Sequence, residues 1–597
     1  MKKVIKKATA LLLVAIMAFT PVMVNAEEVQ EPFAATTQLA LEQAAILMDA
    51  LSVAGMTIAI VDIGSDFVWL QGLGYANAAT QEPVTEYTLF SIGSTAKVFT
   101  AVAIMQLVEQ GLLCLDEPIT TYLPNFSVLP NPAWGGDYRN VTTRMLLTHT
   151  SGMHELLGVG ASIEGQDRNF YNEMLPILAN MHMQNVEMDR MTYNNTGYAL
   201  LGLIVAAFEG NANYFDGFVN FTQENIFAPA GMTSSSFDVN SINRANLALS
   251  YADANTPLGV HQYSNAPSTG GMVSNAYDMA RFMHIILSDG GNLLNQQTIQ
   301  EMITVQDMGI RFPTQYDLGL GFMEMHHPDG IITTGHGGNL LHHTEFLLCF
   351  DSGIGVYVST NSMSGAGAVA SLANLMLRVA VEEKTGTPIQ PTPFNITNPV
   401  TNVQQLVGWY QFMGAGSIQL VLCDEGLLHF MELMGLPPIT LVPAGDGTFD
   451  SMIGNVWFKN VDGYIFFMGG SAVLSERVVP TAPINAEWLI GTVYFTIDGV
   501  DIPIGWTSFT DDGILYYTDG SRVHLWEQVD HYTFFTLGRG REFGTVVEYS
   551  IENGVIVGRE SGITFTIQPH TFIDEPETPV TNETPARETS VPSLPLG

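Results

Sequence analysis

The sequence predicts a mixed α/β (α+β) domain followed by an all-β, barrel-like C-terminal region. Three observations carry this reading. Between residues 35 and 385, helical stretches such as Val98 to Gln110 mix with short strand-like runs such as Thr57 to Val61 and Gly355 to Val358. From Gly386 the chain reads Gly-Thr-Pro-Ile-Gln-Pro-Thr-Pro, and prolines at that density extend a chain rather than fold it. From residue 402 to 570, short alternating runs rich in Val, Ile, Phe, Tyr and Trp are separated by Asp-Gly, Asn-Gly and Gly-Gly turns.

Taken in chain order, residues 1–26 have the layout of a signal peptide. Lys2, Lys3, Lys6 and Lys7 precede an apolar run from Ala8 to Ala18, and Val24-Asn25-Ala26 supplies a small-residue cleavage site. The run falls short of the roughly 20 apolar residues that span a bilayer, and no cysteine follows the cut to carry a lipid. The expectation is a secreted, extracellular protein whose mature chain has no membrane span.

Residues 35–385 form the mixed domain and 386–400 a proline-rich linker. Two β-barrel-like domains, 401–483 and 484–570, are expected because Val407-Gly408-Trp409-Tyr410 and Ile490 to Tyr494 each open a similar run of strands and turns. One larger barrel or a sandwich also fits. Trp409, Trp457 and Trp506 can form a stacking surface if exposed, or fill a core. The tail, 571–597, is rich in Pro, Thr and Glu, lacks an apolar pattern and reads as disordered.

Composition excludes several roles. The formal net charge of −38 opposes binding to phosphate backbones or anionic lipid, so nucleic acid is not an expected partner. Hydrophobic residues make up 46% of the chain, enough for several cores. The three cysteines, Cys114, Cys349 and Cys423, are widely spaced and include no C-x-x-C pair, which argues against a disulfide framework or a zinc site. Cys114 and Cys349 lie in apolar sequence and read as small buried hydrophobes.

Three short segments carry chemistry. In Ser94-Thr95-Ala96-Lys97, at the start of a helical pattern running to Gly111, the serine and lysine are three apart and share a helix face. A serine hydroxyl becomes a good nucleophile when a nearby base takes its proton, and a desolvated lysine suits that task. Backbone N–H groups at a helix start can meet a developing oxyanion. In Tyr193-Asn194-Asn195, the tyrosine can serve as a base beside a cation and the Asn195 amide can hold both a lysine and a carbonyl. In Gly335-His336-Gly337-Gly338, glycines on an edge strand let a ligand approach the backbone, and His336 can donate to an oxygen or ease proton transfer.

Each segment also has a simple structural reading: an exposed helix face, a turn with Asn195 capping the following helix, and a glycine-rich hairpin. His342 and His343 show no metal-ligand spacing and read as local structure. Neither a metal nor a cofactor is expected.

The order and spacing of Ser94-x-x-Lys97, Tyr193-x-Asn195 and His336-x-Gly338 resemble the three motifs of the serine β-lactamase-related hydrolases. That family includes class C β-lactamases, D-Ala-D-Ala carboxypeptidases, D-aminopeptidases and related esterases. Leu146 to Gly152, Thr192 to Gly202, Thr269 to Ser274 and Asp278 to Phe282 resemble further family segments, so the likeness covers residues 40 to 380.

The resemblance implies the penicillin-recognising serine hydrolase fold, an antiparallel sheet flanked by helices. It implies acyl transfer in which Ser94 attacks a carbonyl, with Lys97 and Tyr193 as a coupled base and Tyr193 protonating the leaving group. The backbone N–H groups of Ser94 and Asn339 would form the oxyanion hole, Asn195 would orient substrate and Lys97, and His336 would assist from its strand beside Gly338. The partner is then a small-molecule or peptide substrate, an ester, an amide or a peptide with D-residues. A non-catalytic protein that binds or senses cell-wall fragments or β-lactams through the same pocket is the alternative. His336 stands where many β-lactamases and carboxypeptidases carry a lysine that attracts a substrate carboxylate, and the His form resembles the D-aminopeptidase and esterase branch.

Overall fold

The computed structural model describes residues 32–156, 165–310, 317–326, 331–388 and 399–412, together with most of 416–569. The expected signal peptide, residues 389–398 of the expected linker and the expected disordered tail lie outside the described residues.

The first domain is built on an eight-stranded antiparallel sheet. Its strands are β1 (Gly55–Asp62), β2 (Phe67–Asn77), β3 (Glu82–Pro83), β4 (Asp317–Leu318), β5 (Met323–His326), β6 (Ile332–Asn339), β7 (His343–Cys349) and β8 (Ile354–Thr360). They lie in the order β3-β2-β1-β8-β7-β6-β5-β4. The helices that matter for the site are α1 (Ala34–Leu51), α2 (Ala96–Glu109), α3 (Asn195–Glu209), α4 (Ala276–Leu287) and α5 (Ala366–Thr385).

The sheet is covered on both faces, which is why its central strands read as unbroken apolar runs. Successive side chains point to opposite faces. Met56, Ile58 and Ile60 of β1 therefore join Ala40 and Ala44 of α1 and Leu372 and Met376 of α5 in one core. Ala59 and Val61 face the other way, into a larger core with Phe99 of α2, Leu200 of α3 and Phe282 of α4. Each large aliphatic or aromatic side chain buried this way stabilises the fold by roughly 1.5–3 kcal/mol. The stretch Met363–Thr385, which contains α5, is long and apolar enough to cross a membrane by length and composition, and half of its most apolar window is buried inside the fold.

The C-terminal region is two closed barrels of eight sequential antiparallel strands each, not one larger barrel or a sandwich. The first closes where Gly408–Phe412 pairs with Ala472–Val478, and the second where Gly491–Ile497 pairs with Ile563–Pro569. Tyr410, Phe430, Phe458 and Phe467 fill the first, and Leu515, Trp526, Phe534 and Tyr549 the second. The three tryptophans do not form an exposed row. Trp457 is buried, and Trp409 packs on Ile514 and Leu525 of the neighbouring barrel.

Two sequence expectations are corrected. Cys114 is exposed rather than buried, because it lies past the end of α2 where the chain returns to the surface. Cys349 is buried as expected. The glycine-rich β6 is not an edge strand: it pairs with β7 along Thr334 to Asn339 and with β5 along Ile332 to Gly335. Beyond Gly335 the ladder to β5 stops, and among the described residues His336 to Asn339 have no strand partner on that side.

Candidate active site

The site forms where that free side of β6 meets the start of α2. Gly93–Thr95 makes one 3₁₀ turn that runs directly into α2, and Gly93 takes a positive φ of 54°. A β-carbon on Gly338 would stand 1.9 Å from the carbonyl oxygen of Ile92, and one on Gly93 would stand 2.9 Å from the backbone nitrogen of Asn339. Glycine at both positions lets the two backbones touch. The contact brings the backbone next to Ser94 against the backbone next to Asn339.

Ser94 and Lys97 then share the inner face of the helix start. Lys97 is fully buried, and its ammonium group meets three oxygens. Nζ lies 2.7 Å from Asn195 Oδ1, 2.5 Å from the carbonyl of Thr269 and 3.2 Å from Ser94 Oγ. The first two partners can only accept, so each takes an N–H. The third tetrahedral position of Nζ faces the serine. An ammonium donates there, whereas a neutral amine presents its lone pair to the serine hydroxyl proton.

Asn195 reaches Lys97 because it is the first residue of α3, not the cap. Asn194 is the cap, its Oδ1 accepting from Gly197 N–H at 2.7 Å. Satisfying the helix terminus with Asn194 leaves the Asn195 amide pointing into the site.

Tyr193 stands just before this cap, with the Lys97 ammonium 5.0 Å from its ring centroid. His149 holds it from behind. Its carbonyl accepts from Thr192 N–H at 2.7 Å, its Nδ1 accepts from Asn194 N–H at 3.1 Å, and its ring stacks 4.4 Å from that of Tyr193. His149 adopts a positive φ of 57°, a strained conformation at the turn that aims its ring at Tyr193.

His336 lies on β6, its ring 5.9 Å from that of Tyr193. Nδ1 donates to the carbonyl of Gly337 at 2.6 Å, so the neutral ring carries its lone pair on Nε2. That nitrogen is buried and has no hydrogen-bond partner among the described residues. Burial, with the Lys97 charge adding to it, pushes the His336 pKa down to about 3. Of the two roles expected for His336, donation to an oxygen and easing of proton transfer, this tautomer leaves Nε2 as an acceptor, the form that can take up a proton.

Supporting contacts come from Glu155, which no sequence motif marks, and from His342 and His343, which act as the local structure expected of them. The Glu155 carboxylate accepts from Asn195 N–H at 2.7 Å, from Asn195 Nδ2 and from Asn194 Nδ2 at 3.2 Å. His342 accepts from Ser91 N–H at 3.1 Å and donates to Ser250 Oγ at 3.1 Å. His343 Nδ1 meets Asn339 Oδ1 at 2.8 Å. His342 therefore ties the segment before Ser94 to Ser250, and His343 holds the Asn339 side chain. Only the proximity of Glu155 to Gly152 and of the histidines to Asn339 in sequence could have hinted at this.

Residues 43–381 match the β-lactamase family model, more than half of the 597-residue chain. The chain belongs to the β-lactamase family. This is a family of serine hydrolases, and the mixed helices and antiparallel sheet have the β-lactamase and penicillin-binding protein fold. Protein Rv1367c of Mycobacterium tuberculosis is 31% identical over 244 residues, covering 36% of this chain and 58% of that protein. A Providencia stuartii protein named β-lactamase is 27% identical over 240 residues, covering 40% of this chain and 57% of its own length. The chain thus spans little more than half the length of these two curated relatives. The crystal structure of SurE superposes with a TM-score of 0.54 at 19% identity, covering 74% of this chain and 99% of SurE. That likeness reflects a shared fold.

Proposed function

We propose that this β-lactamase family member is a secreted serine hydrolase that forms an acyl-enzyme at Ser94 and hydrolyses small esters or amides, D-residue peptides among them. The observation that carries the reading is Lys97 Nζ, held by Asn195 Oδ1 and the Thr269 carbonyl with its remaining position on Ser94 Oγ. A lysine buried in this way has no surface role, and its contacts include the Ser94 hydroxyl.

In the first step the Ser94 hydroxyl proton passes to the Lys97–Tyr193 unit as Oγ bonds to the substrate carbonyl carbon. The oxyanion is met by the backbone N–H groups of Ser94 and Asn339. Collapse breaks the bond to the leaving group, which takes a proton from Tyr193. In the second step water attacks the acyl-enzyme, gives up a proton to the same unit, and Ser94 Oγ leaves and is reprotonated. The protons belong to the coupled pair rather than to either residue alone.

His336 supports a substrate without a carboxylate at that position. A neutral ring with a lone pair on Nε2 attracts an N–H or O–H and offers a carboxylate no charge. Secretion is supported by the lysine-rich start and apolar run of residues 1–26.

The test is intact-protein mass spectrometry after exposure to a fluorophosphonate probe, followed by a panel of esters and D-amino-acid amides. A single adduct that is lost in Ser94→Ala, with multiple turnovers on a panel member, is the expected result. An adduct that never turns over would move the protein to the binding or sensing class, and no adduct would remove Ser94 as the nucleophile.

A further inference from the structure

We infer that Glu155 is a positioning residue that sets the orientation of Asn195, and through it the proton affinity of the Lys97–Tyr193 unit. The inference rests on the reading of Ser94 as the nucleophile. Three N–H groups converge on this one carboxylate: Asn195 N–H at 2.7 Å, Asn194 Nδ2 at 3.2 Å and Asn195 Nδ2. A carboxylate accepts only, and a lysine ammonium donates only. Placed between them, the Asn195 amide has a single allowed orientation, Nδ2 towards Glu155 and Oδ1 towards Lys97 Nζ at 2.7 Å.

The segment that carries Glu155 is tied to the same helix start. Leu156 N–H donates to Thr196 Oγ1 at 2.7 Å, and Asn194 Nδ2 also donates to the carbonyl of Met153 at 3.0 Å. Glu155 therefore cannot swing away without breaking the α3 terminus. Its hydrogen bonds to Asn195, which in turn accepts from Lys97 Nζ, give it a route to the Lys97–Tyr193 unit.

The consequence is both geometric and electrostatic. Without the carboxylate, the amide is free to turn and present Nδ2 to Lys97, donor against donor. The negative charge one amide away from Lys97 also favours the protonated forms of its neighbours. The ionisable groups around Asn195 are Lys97, Tyr193 and Tyr198, with His149, His154 and His336 on the adjoining segments. Whichever of Lys97 and Tyr193 takes the serine proton, loss of the anion moves its titration to lower pH.

The experiment measures the rate of fluorophosphonate labelling of Ser94 against pH in the full chain, for wild type, Glu155→Gln and Glu155→Asp. For Glu155→Gln we expect a plateau rate lower by about 10- to 100-fold and an acid limb displaced to lower pH. Glu155→Asp keeps the charge, and its acid limb stays at the wild-type position although its plateau falls. This variant carries the test should the Gln variant not fold: an acid limb that moves in Glu155→Asp would overturn the electrostatic coupling. Wild-type labelling with an unchanged plateau and limb in folded Glu155→Gln would overturn the assignment of Glu155 alone. No labelling of the wild type would instead overturn the nucleophile assignment, and this inference with it.

Discussion

Thr95 Oγ1 donates a buried hydrogen bond of 2.9 Å to the carbonyl of His336. The bond ties the residue next to Ser94 to the strand that carries Asn339, so the two proposed oxyanion donors, the backbone N–H groups of Ser94 and Asn339, are held by the fold before any ligand arrives. Preorganised donors of this kind need no rearrangement during reaction.

The same junction predicts the outcome of Gly338→Ala. The new β-carbon would stand 1.9 Å from the Ile92 carbonyl oxygen and 3.1 Å from Thr95 Oγ1. Backbone cannot yield as a flexible side chain does, so β6 must move away from the nucleophile turn. Overpacking of this type costs about 1–3 kcal/mol of stability, while a displacement near 1 Å can cost about 100-fold in rate. Denaturation should show a folded protein with that modest loss, and Ser94 labelling should fall by the larger factor. Equal labelling rates in wild type and variant would contradict the arrangement of Asn339 at the oxyanion side.

Stability should fall on mild acidification, for a reason that lies in the buried histidines. Burial, with Lys97 second, puts His336 at about 3; burial, with His261 and His343 beyond it, puts His342 at about 3; burial and Arg244 put His261 at about 4. Above the ordinary value of 6.5, neither folded nor unfolded chain binds these protons. As pH drops below 6.5 the unfolded chain binds up to three protons that the fold refuses, and the loss is complete once the folded values are passed. His154 and His343, also held down by burial, act in the same direction.

Glu345 opposes this trend. Burial raises it to about 7 from 4.5, so between those values the fold holds a proton that the unfolded chain gives up, and stability rises as pH falls. Against three histidines it leaves a net of about two protons, or roughly 2–3 kcal/mol per pH unit at the steepest. Urea midpoints at pH 7.5, 6.0 and 5.0 should decline in turn. Asp116, held below 3.8 first by its bond to Arg144, adds its loss only at lower pH. A midpoint unchanged from pH 7.5 to 5.0 would mean that these histidines are hydrated.

Much of the fold and part of the site were legible because they follow short-range periodicities. Ser94 and Lys97 are three apart, and the helix period alone puts them on one face. The barrels announce themselves through period-two strands and Gly-containing turns. What sequence could not give depends on contacts distant along the chain. Glu155 meets Asn195 across 40 residues, and no local pattern marks it. The choice between Asn194 and Asn195 as helix cap is also invisible, since both types cap well and only the packing against Glu155 and Lys97 decides. Strand order likewise hid the partner that makes β6 an interior strand.

Selectivity at His336 can be tested by supplying the charge it lacks. Its Nε2 is a buried acceptor beside a cation, a setting that suits a neutral substrate donor. In His336→Lys, an ammonium would replace that acceptor where a substrate carboxylate could meet it. A charged hydrogen bond is worth about 1.5–3 kcal/mol, or roughly 10- to 100-fold in relative rate. Repulsion from Lys97 will lower absolute rates, so the informative quantity is a ratio: acylation of Ser94 by benzylpenicillin, which bears a carboxylate, over acylation by phenyl acetate, which does not. The ratio should rise by that factor in the variant. A ratio unchanged from wild type would place the determinant of carboxylate recognition on another wall of the pocket, and would leave His336 with a role in proton transfer or in shaping β6.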